Sequence, residues 1–164
     1  MRSFASITIA GTAGAALVFG VAAVPAQAQI NPVGGIGKVK INNTVQQIKK
    51  KLGAPDKKYT IQSEAPAGKM KVFEYGTDGY YYKVDFFAGK VYSVTTENPK
   101  QQTWADIGPG SSKAELKAAY GSALRKESSK LFELGDRVQG QVITIFRIAN
   151  KKVSTVQVSQ YTGE

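Results

Sequence analysis

Asn43-Thr44-Val45-Gln46-Gln47-Ile48-Lys49-Lys50-Lys51-Leu52-Gly53 returns in altered form sixty-eight positions later, as Ser111-Ser112-Lys113-Ala114-Glu115-Leu116-Lys117-Ala118-Ala119-Tyr120-Gly121. At that offset Thr44 falls on Ser112, Ile48 on Leu116, Leu52 on Tyr120 and Gly53 on Gly121. Each position has a mechanical role. Thr44 and Ser112 are hydroxyl N-caps for the free N–H groups of a first helical turn, and the glycines suit the stop. Ile48/Leu52 and Leu116/Tyr120 are four apart, so each helix carries one narrow apolar stripe. The spacing predicts short helices over 44–52 and 113–120.

Outward from the first helix, Ala54-Pro55-Asp56 blocks its extension. Strands are expected over 58–62 and 70–75, separated by a turn with Pro66 and Gly68 and closed by Gly76-Thr77-Asp78-Gly79. Residues 80–87 and 90–96 then form the clearest hairpin, turning at Ala88-Gly89. On its first strand Tyr80, Tyr82, Val84 and Phe86 share the better core face, and Tyr81, Lys83, Asp85 and Phe87 share the other.

Beyond a polar connector over 97–103, Trp104 opens a second unit. Residues 124–134 are ambiguous in period, and 138–148 with 152–158 make a closing hairpin around Ala149-Asn150-Lys151. This hairpin matches the first at an offset of sixty-two, Val84 with Phe146 and Val91 with Val153. The expectation is an α+β fold of two tandem units, each a short helix followed by antiparallel strands, with the helices on one face of the sheet. The units span 38–103 and 104–160, share one core and unfold together.

The chain opens with Arg2, an uncharged run over 7–24 and Pro25-Ala26-Gln27-Ala28. A basic start, an apolar middle and small residues before the exit predict a signal peptide over 1–28, cleaved before Gln29. An uncleaved anchor is the alternative, which the Ala-x-Ala exit disfavours. Residues 29–37, with Pro32 and three glycines, read as a flexible lead-in. No cysteine stands near the junction, so the product is not expected to be a lipoprotein, nor to keep a transmembrane segment. Secretion to the periplasm, wall or medium follows.

Neither cysteine nor histidine occurs among the 164 residues. That excludes thiol nucleophiles, Ser-His-Asp triads and zinc sites of His or Cys. No metal or cofactor is expected. The net charge is +10, with lysines spread through the chain. Such charge attracts acidic envelope polymers or serves solubility alone. Nucleic acid is not an expected partner, because an exported chain rarely meets it and the aromatics are not interleaved with the basic run Lys49-Lys50-Lys51. That run complements its helix dipole.

The helix ending in Leu52-Gly53-Ala54-Pro55, the tyrosine-rich strand after it and the Phe-x-x-Gly-Lys-Val hairpin (Phe86 to Val91) carry a resemblance. Together they resemble the helix-plus-sheet superfamily shared by beta-lactamase inhibitory protein and the outer-membrane assembly lipoproteins of the SmpA/OmlA type. The resemblance implies tandem units and protein binding through an aromatic sheet face. It also implies that an Asp followed by tyrosines, here Asp78-Gly79-Tyr80-Tyr81-Tyr82, enters a target enzyme's active site. The chain departs from that pattern in lacking cysteines and in having Trp104 as its single tryptophan.

The candidate partner-binding residues are Asp78, Tyr80, Tyr81, Tyr82, Lys83, Phe87 and Trp104. Tyrosine supplies rigid contact area with a polar tip. Cross-strand packing is the structural alternative for Tyr80 and Tyr82, and a buried interlock between units is the first expectation for Trp104. Glu74, Asp78, Asp85, Glu97 and Asp106 are available to a glycosidase-type mechanism but sit in no recognisable pair. The free N–H groups of Gly108-Pro109-Gly110-Ser111-Ser112 are a weak candidate for an anion. The function expected is a non-enzymatic, exported protein-binding module of the cell envelope or medium. An inhibitor of a secreted or periplasmic enzyme such as a beta-lactamase, and a carboxylate-dependent envelope hydrolase, are the alternatives.

Overall fold

A computed structural model describes residues 30–76 and 81–163; the expected signal peptide, Asp78 and Tyr80 lie outside these described residues. Two helices and eleven strands are described. Helix α1 is Val45–Leu52 and helix α2 is Lys113–Tyr120. Both start from a reciprocal cap. The Thr44 hydroxyl accepts the Gln47 N–H (3.2 Å) while the Gln47 side chain accepts the Thr44 N–H (2.8 Å). Ser112 and Glu115 do the same at 3.1 and 2.6 Å, so two otherwise unpaired donors are satisfied at each entry. Each helix ends on a glycine of positive φ, Gly53 at 85° and Gly121 at 50°.

One antiparallel sheet organises the fold. Its strands are β4 (Lys57–Glu64), β5 (Ala67–Tyr75), β6 (Tyr82–Phe87), β7 (Lys90–Thr96), β8 (Leu124–Lys126), β9 (Leu131–Leu134), β10 (Val142–Ala149) and β11 (Lys152–Gln160). Their order is β4-β5-β6-β7-β11-β10-β9-β8, so two meanders meet where β7 pairs with β11. The ambiguous stretch 124–134 resolves into a 3-10 turn (Gly121–Ala123), β8 and β9.

The register places one side-chain row across all eight strands: Lys58, Phe73, Val84, Val94, Val158, Thr144, Leu134 and Leu124. This face is the buried one. Ile48 of α1 and Leu116 and Tyr120 of α2 join Phe73, Phe86, Phe132 and Phe146 in a single core cluster. Both helices therefore cover the same side of the sheet.

The helix entries are tied to the two tight hairpins by matching backbone bonds. Asn42 N–H donates to Val91 O (2.9 Å) and Val91 N–H to Asn43 O (2.8 Å); Gly110 N–H donates to Val153 O (2.8 Å) and Val153 N–H to Ser111 O (2.8 Å).

The lead-in differs from expectation. Residues 30–40 fold into a small sheet of β1 (Ile30–Asn31), β2 (Gly35–Ile36) and β3 (Val39–Lys40). Ile30 and Ile36 are 1% and 0% exposed and belong to the core. Burying two isoleucines outweighs the flexibility of the surrounding glycines. Gly35 permits the tight fold, since a Cβ there would stand 2.1 Å from the Val39 carbonyl oxygen. Among the described residues no helix is long and apolar enough to cross a membrane.

Candidate functional site

Because side chains alternate along a strand, the residues between the core rows face the other way. They form a second row across all eight strands: Lys57, Glu74, Lys83, Thr95, Gln157, Ile145, Glu133 and Arg125. Next to it runs Tyr59, Val72, Asp85, Ser93, Ser159 and Ile143. Both helices and the small sheet lie on the core side, so no described helix or strand packs against this open face; its middle is nonetheless closed to solvent, with Val72, Ser93, Ile143 and Ser159 between 0% and 4% exposed.

Its charges are matched locally at both ends, while Arg147 is exposed and forms no ion pair among the described residues. At one end Glu74 accepts the Tyr59 hydroxyl at 2.7 Å and lies 3.8 Å from Lys57. That hydrogen bond, with burial and the carboxylate's charge adding to it, pushes the Tyr59 phenol up to about 12. Tyr81 is raised further, first by burial and then by Glu74. Two phenols thus share one carboxylate. Beside them Asp85 is 6% exposed, accepts the Ser93 hydroxyl at 2.5 Å and lies 3.7 Å from Lys83. At the far end Arg137 donates to Glu133 (3.0 and 3.1 Å), and Arg125 also donates to Glu133. Glu127 bridges the same guanidiniums at 2.7 Å from Arg125 and 2.8 Å from Arg137.

Apolar groups sit at the β4 end. Tyr59 and Ile61 are 40% and 36% exposed. Ile61 stands opposite Met70. Phe87 is half-buried, and its ring edge would lie 3.3 Å from a Cβ on Gly68, so that glycine gives the ring its seat.

The sequence-predicted residues do not form one patch. Tyr81 and Lys83 are half-buried on the open face, with Phe87 at its edge. Tyr82 turns to the core side, where Gln101 Nε2 donates to its hydroxyl and burial raises its pKa against that bond. Asp78 and Tyr80 lie outside the described residues. Trp104 corrects the expectation of a buried interlock: it is 73% exposed and meets Tyr120 edge-on at 6.1 Å on the α2 side of the molecule. The junction is filled instead by Tyr120, whose hydroxyl donates to Thr103 Oγ1 at 2.7 Å.

The anion candidate at Gly108 to Ser112 also fails. The Ser112 N–H is taken by Glu115 and the Gly108 N–H by Ser111 Oγ (3.1 Å). A groove of about 720 Å³ does open there, but Asp106 and Glu115 line it. Sequence reasoning passed over Tyr59, Ile61 and the Arg125–Glu133–Arg137 cluster. Alternation in Lys57-Lys58-Tyr59-Thr60-Ile61 was the available signal for the first two.

No family model matches the chain, and no curated protein matches it by sequence. Solved structures do resemble it. A cysteine-rich secretory protein from Staphylococcus aureus subsp. aureus Mu50 superposes with a TM-score of 0.50 at 16% identity, covering 79% of this chain and 48% of that one. An extracellular protein containing a SCP domain from Bacillus anthracis str. Ames gives 0.52 at 10% identity, covering 73% and 44%. The uncharacterized protein yfeY from Escherichia coli gives 0.53 at 10% identity, covering 82% and 99%. The likeness is one of fold. This chain spans less than half the length of the first two proteins.

These neighbours correct the sequence resemblance. They are SCP-type and yfeY-like proteins, not members of the superfamily of beta-lactamase inhibitory protein and the SmpA/OmlA lipoproteins. The motifs that carried the resemblance, Leu-Gly-x-Pro and Phe-x-x-Gly-Lys-Val, express a glycine-stopped helix and a tight hairpin. Those needs recur in unrelated folds.

Proposed function

We propose that the chain is a non-enzymatic, exported protein-binding module whose partner docks on the open face of the sheet, at the end formed by Tyr59, Ile61 and Tyr81. The observation that carries this reading is the exposure of Tyr59 and Ile61 at an end of the face where the charged groups, Lys57 with Glu74 and Lys83 with Asp85, are already paired. Such a face offers aromatic and aliphatic contact area without the cost of stripping water from unpaired charges. Trp104 is outside this patch and is left out of the binding set.

Export rests on the leader pattern over 1–28, and acidic envelope polymers remain secondary partners through the positive charge. Against the hydrolase alternative, two of its candidate carboxylates are already engaged, Glu74 with Tyr59 and Lys57 and Asp85 with Ser93 and Lys83. The inhibitor alternative loses the resemblance on which it stood.

We also propose that the molecule is two copies of one helix-and-meander unit. Supporting this, the hydrogen bonds tying helix to hairpin repeat at the same offsets, sixty-eight on the helix side and sixty-two on the hairpin side: Asn42–Val91 with Gly110–Val153, and Val45–Gly89 with Lys113–Lys151.

The test is quantitative capture from the producing organism's envelope and medium, using the chain from Gln29 onward, a Tyr59→Ala/Tyr81→Ala variant and a Trp104→Ala variant. A partner retained by the first and third and lost by the second supports the face. Equal capture by all three sinks it.

A further inference from the structure

We propose that β4 is a self-pairing edge, through which two copies of the chain join antiparallel along Lys57–Glu64 and continue their eight-stranded sheets as one. The face reading above is not needed for this. β4 ends the sheet, and among the described residues it pairs with β5 alone. Seven of its eight residues are exposed, and it contains neither proline nor glycine. Its outward backbone groups therefore form an open template of full strand length. The opposite edge, β8, has three residues.

The occupant is argued from self-complementarity. A two-fold axis normal to the sheet reverses strand direction and keeps each face on its own side, so open-face residues meet open-face residues. Centred on Ile61, this pairing sets Ile61 against Ile61, Tyr59 against Ser63 and Lys58 against Glu64, the last two occurring twice by symmetry. Lys58 and Glu64 form no ion pair within the chain among the described residues. The pairing thus covers Ile61, one of five large apolar side chains exposed among the described residues, with its own copy. It also places a positive position of one copy opposite a negative position of the other, which stabilises cross-strand pairs. A register centred on Thr60 instead sets Lys58 against Gln62 and leaves Glu64 facing Asp56, which like-charge repulsion disfavours.

Sedimentation velocity on the chain from Gln29 onward, over a hundredfold range of concentration, reads the outcome, with circular dichroism confirming that each variant is folded. The expected result is a doubling of mass with rising concentration. Ile61→Lys should stay at monomer mass throughout. Lys58→Glu should weaken association, and Lys58→Glu/Glu64→Lys should restore it, because reversal on both copies recreates each pair. Monomer mass at every concentration overturns the proposal. So does a dimer that survives Ile61→Lys, or a complex whose added mass is a co-purified peptide and not a second copy. Failure of the double reversal to rescue overturns the Ile61-centred register.

Discussion

Glu133 stands on the open face with its carboxylate shared between Arg125 and Arg137. Burial pushes its pKa up, but the hydrogen bonds from Arg137 and Arg125 outweigh that and hold it below the ordinary carboxylate value. A depressed folded-state pKa means stability that is fully present above the unfolded value, about 4.3. It is lost as pH falls through the depressed value. Glu133→Gln keeps the shape and removes the charge, so it should cost about 1.5–3 kcal/mol at neutral pH, the range for hydrogen bonds to charged groups. The variant should also lose the part of the acid sensitivity that Glu133 supplies. Urea denaturation at pH 7 and pH 3 measures both. Curves for natural and variant protein that stay equally far apart at the two pH values would remove the ion cluster from the stability argument. Residue by residue, the sequence was a weak guide to this site. Trp104 was placed by the average burial of its type, whereas the junction fills with Tyr120 and leaves the indole outside. Glu133 could not be paired with Arg137 before β9 was distinguished as a strand.

At the scale of elements, the two hairpins show which local chemistry was legible and which was not. Helices α1 and α2 were readable because their caps act within a few residues, and β7 because a turn and alternation bracket it. Residues 124–134 were not, because β8 is three residues long and owes its pairing to β9 and not to its own pattern. The hairpin turns carry a prediction of their own. Ala88 and Gly89 have φ of 47° and 79°, and Asn150 and Lys151 have 51° and 62°. Two-residue loops with both φ positive match the strand twist and favour Asn-Gly. Ala88 and Lys151 are the residues that fit poorly, since a Cβ in the left-handed region costs about 1–2 kcal/mol, less for isolated turn positions. Ala88→Asn and Lys151→Gly each create Asn-Gly, and each should raise stability by about 0.5–1 kcal/mol. A chemical-denaturation midpoint that fails to rise in either variant would argue that the turn tolerates its present residue without strain.

For the whole molecule, the decisive feature is that no half owns its core. Ile48 and Phe73 lie in the same buried cluster as Leu116 and Phe146, and Ile30, Ile36 and Val39 complete it. The N-terminal segment is bonded to both halves: Ile30 N–H donates to Gln102 O in the connector at 2.9 Å, and Thr144 Oγ1 of the second half donates to Pro32 O at 2.7 Å. The meanders are joined by β7 against β11, where Val94 faces Val158 and both are fully buried. A half of this size would bury too little surface to offset its chain entropy, whereas the joined sheet buries both helices against one continuous layer. Unfolding should therefore be a single transition whose calorimetric and van't Hoff enthalpies agree. Val94→Ala and Val158→Ala, on opposite sides of the seam, should each lower stability by about 1–3 kcal/mol through the lost methyls and the cavity left behind. Each should move that one transition without splitting it. Two resolved transitions, with Val94→Ala shifting one and Val158→Ala the other, would mean that each meander holds its own core and that β7 and β11 merely dock. A single shifted transition in both variants would instead make the seam part of the folding unit, and any duplication behind the fold would then be one whose copies can no longer stand apart.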